Sequence, residues 1–314
     1  LGAAGERNIF VGIRKEENGH VVWFKIICFR FTLIRNLEMS EENVVIYDRR
    51  VQTIVERAPV ARIIFPGWQK DKECWMFLAA HDDDIVCGAG LTLLAGLKEG
   101  VEVHAVITAN GCMGYCSEDK SRTIAAVRKE EAKESFKILG VKEENIHFLD
   151  FDDCSFYLNA GRRFADENTT SPVIAGATGL QNSYTWVLRK ICPTRIFLPT
   201  PTDIHPDHQL TTKEMMISIF HAQGGIWPEL GPAMEEIPML YEYSTYSDFA
   251  TLPTMRIRTN QELFEKKLDA IRAYKSQEQI ELLVNGLIES GAQEYLREVN
   301  FDIMTPHKHD KLFN

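Results

Sequence analysis

Residues 77–90 read FLAAHDDDIVCGAG. An apolar run ends in a histidine and three adjacent aspartates, His81, Asp82, Asp83 and Asp84, and a stretch rich in small residues follows. Three like charges side by side cost folding energy unless a positive group sits among them. The stretch therefore asks where in a fold such a cluster lies, and which cation neutralises it.

The surrounding pattern answers the first part. From residue 72 onward, short apolar runs (ECWMFLAA, VEVHAVIT, NIHFLD, RIFLP) alternate with helical segments. IVCGAGLTLLAGLKEG and SRTIAAVRKEEAKESFKILG follow the first two runs, TGLQNSYTWVLRKI precedes RIFLP, and HQLTTKEMMISIFHAQ comes after it. Such alternation predicts an α/β, Rossmann-like fold, a mainly parallel sheet with helices on both faces. A further strand, PMLYEYST, precedes two more helices, NQELFEKKLDAIRAYK and SQEQIELLVNGLIESG. Asn260 and Ser276 are the N-caps expected for these, with Gln279 completing a capping box. Residues 1–70 read instead as a small β-rich extension, with IFVGIR, VVWFKIICFRFTLI, ENVVIY and ARIIF as its strands, and 71–314 as the α/β domain.

In a parallel sheet the carboxyl ends of the strands share one edge, and ligands bind in the crevice there. After FLAA come His81 to Asp84; after AVIT, Asn110 and Gly111; after HFL, Asp150, Asp152 and Asp153; after IFLP, the loop with Asp203, His205, Asp207 and His208. Four polar clusters thus converge on one rim. HPDH by itself makes a competent helix start, with Pro206 in the first turn, and Asp clusters can cap helices. Joint placement on one rim outweighs those local explanations. Histidines and carboxylates without a suitably placed cysteine fit a divalent cation on nitrogen and oxygen, with one position left for water. Such an ion also answers the crowding of the three aspartates. On the helix from Arg122 to Gly140, Arg128 and Glu131 fall within the stripe marked by Ile124, Ile138 and Leu139, spaced to pair with each other.

Composition narrows the class. The chain has 314 residues, 45% of them apolar, which is enough for a sizeable core. A net charge of −10 argues against a nucleic-acid surface, which needs a basic stripe. Seven scattered cysteines read as reduced thiols, and CMGYC (112–116) lacks the second pair of a metal knuckle. The longest apolar segment, 21–34, is too short to span a bilayer and contains Lys25 and Arg30. With no signal-peptide pattern at the start, a cytoplasmic location is expected.

AHDDD (80–84) and HPDH (205–208), the latter preceded by Asp203, resemble the paired A-H-P-D-D and H-x-D-H motifs of the LmbE-like, or PIG-L, family of deacetylases. TANG, RKEE, the aspartates of HFLDFDD and AIRAYKSQ look like further family features, so the likeness runs over roughly residues 73 to 280. It implies a zinc-dependent N-deacetylase acting on an N-acetylglucosamine-containing conjugate, with one Zn2+ per chain. It further implies His81, Asp84 and His208 as metal ligands and Asp83 as general base. His205 would stabilise the tetrahedral intermediate, with Asp207 orienting it, and Arg128, Asp153 and Asn110 would meet the substrate. Where the family has proline, this chain has Asp82. Some members carry a tyrosine where Asp203 stands. Expected partners are a small N-acetylated sugar conjugate and a second copy of the chain docked through the N-terminal extension; nucleic acid and a membrane span are not expected. Two other readings compete: a metallophosphoesterase, with Asn110 and Asp153 toward a second metal, and a non-catalytic sugar-binding protein on the same fold.

Overall fold

Four parallel pairings join the central strands of the structure, a computed structural model that describes residues 14–17, 20–23, 45–48, 53–55, 68, 71–301 and 306–313. The chain divides into two compact units, Leu1–Met39 and Ser40–Asn314. Within the first, β1 (Arg14–Glu17) and β2 (His20–Trp23) form an antiparallel pair. Most of IFVGIR, VVWFKIICFRFTLI and ARIIF lies outside the described residues.

In the second unit, β3 (Val45–Asp48), β4 (Thr53–Val55), β5 (Cys74–Ala79), β6 (Glu102–Ala109), β7 (Ile146–Phe151), β11 (Arg195–Pro199), β12 (Met239–Tyr243), β13 (Met255–Arg258) and β14 (Gln293–Val299) form one sheet. Its order is β4-β3-β13-β14-β12-β11-β5-β6-β7, parallel from β12 to β7 and antiparallel from β12 outward to β4. Strands β13 and β14 were not anticipated. In β14 a buried position is taken by Glu294, so the apolar alternation that marks a strand is broken. The short strands β8 (Arg163–Phe164), β9 (Val173–Ile174) and β10 (Ala177–Thr178) make a separate small sheet.

Side-chain alternation along β5 splits the interior in two. Trp75, Phe77 and Ala79 pack with α1 (Asp84–Lys98), α2 (Ile124–Leu139), α5 (Gln261–Ile271) and α6 (Ile280–Ser290). Met76 and Leu78 face α3 (Leu180–Ile191) and α4 (Pro206–Gln223). A strand with both faces buried reads as a continuous apolar run, which is why CWMFLA is one. The α/β fold with helices on both faces is as the sequence predicts.

Helix α1, which carries the aspartates at its start, is broken at Ala89 (φ −138°, ψ 15°). The N–H groups of Leu91 and Thr92 then donate to the buried Glu294 carboxylate, at 2.8 and 2.9 Å. Lys267 neutralises that carboxylate at 2.7 Å and donates to the Cys87 carbonyl at 2.8 Å. Gly88 is required at the break, because a Cβ there would lie 2.5 Å from the Tyr243 ring.

Asn260 caps α5 as expected, its side chain accepting from Leu263 N at 3.0 Å. Ser276 does not cap α6, which starts at Ile280. Its N–H and Oγ instead donate to Glu131, each at 2.7 Å. Glu131 is thereby taken from Arg128, so the expected Arg128–Glu131 pair does not form.

Candidate functional site

Strand β5 ends at Ala79 and the chain turns through His81, Asp82 and Asp83 into α1. Next to it, β11 ends at Pro199 and a loop leads to α4, with Pro206 in the first turn and His205 as N-cap. The chain winds from β5 toward β7 on one side and places β11 on the other, so both loops open at the point where strand order reverses.

There His81 Nδ1 and His208 Nε2 lie 3.1 Å apart. Asp84 approaches His81 Nδ1 at 3.6 Å through Oδ2 and His208 Nε2 at 3.2 Å through Oδ1. Zinc with ligands at about 2.0–2.1 Å in a tetrahedron separates them by about 3.3–3.4 Å, close to these separations, although Asp84 turns a different oxygen to each ring. Asp84 Oδ1 is buried without a hydrogen-bond donor, a cost that a cation at this point removes. The far nitrogens are backed by carboxylates: His81 Nε2 by Asp207 at 3.5 Å and His208 Nδ1 by Asp203 at 3.3 Å. Outer carboxylates of this kind fix ring orientation and raise ligand basicity.

The surrounding carboxylates favour positive charge at this point, carried by protons on the histidines when no ion is bound and released when a cation takes their place. Burial opposes charge on His81, but Asp207 and Asp84 outweigh it and hold its pKa well above the ordinary imidazole value. Burial opposes charge on His208 too, and Asp84 again reverses it, raising the pKa. For Asp84, burial works upward and is overcome by His208 and His81, which hold the carboxyl far below the usual range.

The three aspartates divide between two partners, Asp84 facing the histidines and Asp82 and Asp83 facing one arginine. Asp82 is buried and forms a two-pronged ion pair with Arg128, from Nε at 2.9 Å and from Nη2. Arg128 Nη2 also reaches Asp83 at 3.1 Å. The cation among the aspartates is therefore in part an arginine 46 residues along the chain, which the sequence placed at the substrate or paired with Glu131. Burial pushes Asp82 up to about 7 against the pull of Arg128. Tyr274 closes the arrangement: its hydroxyl donates to the Asp82 carbonyl at 2.6 Å, and its ring lies 5.0 Å beneath the guanidinium. Gly111 fits against this arginine; with φ +77°, a Cβ there would sit 2.9 Å from Arg128 Cβ.

A cavity of ≈ 200 Å³ opens over these groups, lined among others by His81, Asp83, Arg128, Asp153, His205 and Tyr246. Asp153 is buried and accepts from Gly111 N at 3.0 Å and Met113 N at 3.1 Å, so it also shapes the loop after β6. Asn110 reaches the rim but spends its side chain on Asp152 at 2.7 Å and Cys112 N at 3.0 Å, outside the cavity lining. Asp207 holds His205 through the main chain, its N–H donating to His205 Nδ1 at 3.2 Å, while its carboxylate accepts from Cys154 N at 2.7 Å. His205 therefore carries its proton on Nε2. Burial, then the neighbouring His81, lowers its pKa. One participant, Tyr246, was missed, and Asp203 was placed on the rim without a role. Asp203 stands behind His208, and Tyr246 packs over the rings of His208 and His205 at 5.2 and 6.3 Å. Tyr246 follows β12, so the strand-end rule that found the other loops would have found it. A larger cleft of ≈ 550 Å³ between Glu73, Arg195 and residues 232–239 contains no histidine, and its buried Arg195–Glu73 pair is self-neutralising.

Fold and site together define an α/β protein with a candidate metal centre at the carboxyl edge of its sheet. Residues 76–219, from β5 through most of α4, match the PIG-L family, described as GlcNAc-PI de-N-acetylase. A diacetylchitobiose deacetylase of Thermococcus kodakarensis is 32% identical over 133 residues, covering 41% of this chain and 42% of that protein. The chain thus spans about two fifths of that curated relative. Among solved structures, an N,N'-diacetylchitobiose deacetylase from Pyrococcus horikoshii, bound to its inhibitor MPG, superposes with a TM-score of 0.58 at 26% identity, covering 76% of this chain and 89% of the other. The 4-carboxy-2-hydroxymuconate hydratase GalB from Pseudomonas putida KT2440 shares the fold, with a TM-score of 0.56 at 18% identity over 74% of this chain and 97% of its own. No helix among the described residues is long and apolar enough to cross a membrane.

Proposed function

We propose that this protein is a metal-dependent hydrolase that removes the N-acetyl group from an N-acetylglucosamine-containing conjugate. The observation that carries this reading is the close triangle of His81, Asp84 and His208 beside a carboxylate, Asp83, that opens to the cavity. The relatives named for deacetylation of diacetylchitobiose support the substrate class.

His81 Nδ1, His208 Nε2 and Asp84 would hold one divalent ion, zinc by its preference for such ligands. When bound, the ion polarises the acyl oxygen and lowers the pKa of water toward neutrality. Asp83 takes the proton of the attacking water and delivers it to the departing amine, while Arg128 fixes its carboxylate in place. His205 donates from Nε2 to the developing oxyanion, its tautomer set by the Asp207 N–H. Asp153 and the Arg128 face of the cavity receive the sugar, and Asn110 acts on them indirectly by shaping the adjoining loop.

Acetate release from N-acetylglucosaminides, measured with zinc present, is the direct test. Asp83→Asn is expected to lower turnover by about 10²–10⁴-fold with bound zinc unchanged. Full turnover in that variant moves the base elsewhere, and release of phosphate in place of acetate from matched esters replaces the reading with a phosphoesterase.

A further inference from the structure

At the opposite edge of the sheet, three side chains of ligand type meet where β5 and β6 begin. Cys74 and Glu102 are register partners on parallel neighbours, and His104 follows two residues later, so all three project from the same face. One sulfur, one carboxylate oxygen and one ring nitrogen lie within 4.8 Å of one another. His104 Nε2 sits 3.3 Å from Glu102 Oε1, while its Nδ1 faces His147 Nε2 at 3.0 Å. Two ring nitrogens at that distance share a proton, and a cation held by Glu102 and Cys74 would select the form in which Nδ1–H donates to His147 and Nε2 offers its lone pair. Ligating histidines are oriented in this way, by a partner on the far nitrogen. His104 is mostly buried, so its ring is held in place beside Glu102. Cys74 Sγ lies 3.9 Å from the carbonyl of Ile191, immediately before the exposed thiol of Cys192.

We propose that Cys74, Glu102 and His104 form a second divalent-metal site, selective for a borderline-soft cation such as zinc, that ties β5 to β6 at the edge away from the reaction. Cys74 binds as thiolate and releases its proton to solvent. The carboxylate and imidazole keep the site distinct from a purely thiolate one, and the sulfur separates it from the nitrogen and oxygen set at the rim.

Cobalt(II) is the discriminating probe, because only sulfur ligation gives an intense near-ultraviolet charge-transfer band. The whole chain titrated with Co2+ is expected to show that band and to bind about one ion per chain beyond the rim site. Cys74→Ser and His104→Gln should both abolish it, while His81→Ala and Cys154→Ser, altered at the rim, should keep it. Zinc should also protect Cys74 from alkylation in the unaltered protein, read by peptide mass, which serves if a variant fails to fold. A band that is absent, that survives Cys74→Ser, or that disappears with Cys154→Ser overturns the proposal. None of these outcomes depends on deacetylase activity.

Discussion

Two pairs of histidines in this molecule make nearly the same contact and behave in opposite ways. At the rim, His81 and His208 approach at 3.1 Å; at the far edge, His104 and His147 approach at 3.0 Å. Burial works against the charged form in both pairs. At the rim, Asp84, Asp207 and Asp203 reverse that effect, and both pKa values rise. At the far edge burial prevails, Lys190 adds to it, and both fall, His147 to about 4. Buried carboxylates behind an imidazole, not the imidazole contact, decide which pair accumulates positive charge; the exposed Glu102 beside His104 does not reverse burial. A histidine pair in a sequence is therefore uninformative until its acidic neighbours are known.

The comparison can be broken at several points. The largest effect is expected from Asp82→Ala, which leaves Arg128 buried without its main partner; the loss is about 3–5 kcal/mol in denaturant unfolding. An unchanged midpoint would show that rim charges do not depend on pairing. Next comes Asp203→Asn, behind His208, expected to weaken zinc binding about 10–100-fold in competition with a chelator. Equal affinity would mean that the outer carboxylates are idle. Third, His147→Gln tests the far edge. A histidine depressed in the folded state leaves the unfolded chain binding more protons between its unfolded and folded values, so stability is lost as pH falls from about 6.5 toward 4. Metal-free His147→Gln should flatten that acid limb by about 1 kcal/mol, the half-exposed ring being partly screened. Smallest is Asn260→Ala, which removes a cap distant from both pairs: about 1 kcal/mol, independent of pH and with zinc affinity unchanged.

What the sequence revealed follows from locality. The alternation of strands and helices, and the rule that parallel strands share a carboxyl edge, brought His81, Asp84, His205 and His208 to one place before any contact was known. The Pro206 helix start and the Asn260 cap were likewise local and legible. Arg128 was recognised as an anomaly on an apolar stripe, but its partner was misread. The nearby Glu131 was the only candidate visible, whereas Asp82 reaches it through the tertiary fold. Ser276 was misassigned for the same reason, its hydroxyl being claimed by Glu131 across a helix interface. Strand β14 was hidden because Glu294 occupies a buried position in it, where its carboxylate completes the broken helix α1. The oddest residue of the opening stretch, Asp82 in place of a proline, makes sense only with Arg128 in view.

The brace around α1 has one more consequence. Lys267, Tyr274 and Glu294, which hold the aspartate loop and the helix behind it, all lie beyond residue 219, as does Tyr246 over the histidines. The stretch that matches the PIG-L family therefore does not carry its own supports. An excised 76–219 segment would keep every ligand proposed at the rim and lose the supports that set their geometry, so evolution can vary those supports, and with them the reactivity of a fixed motif, without touching the motif itself.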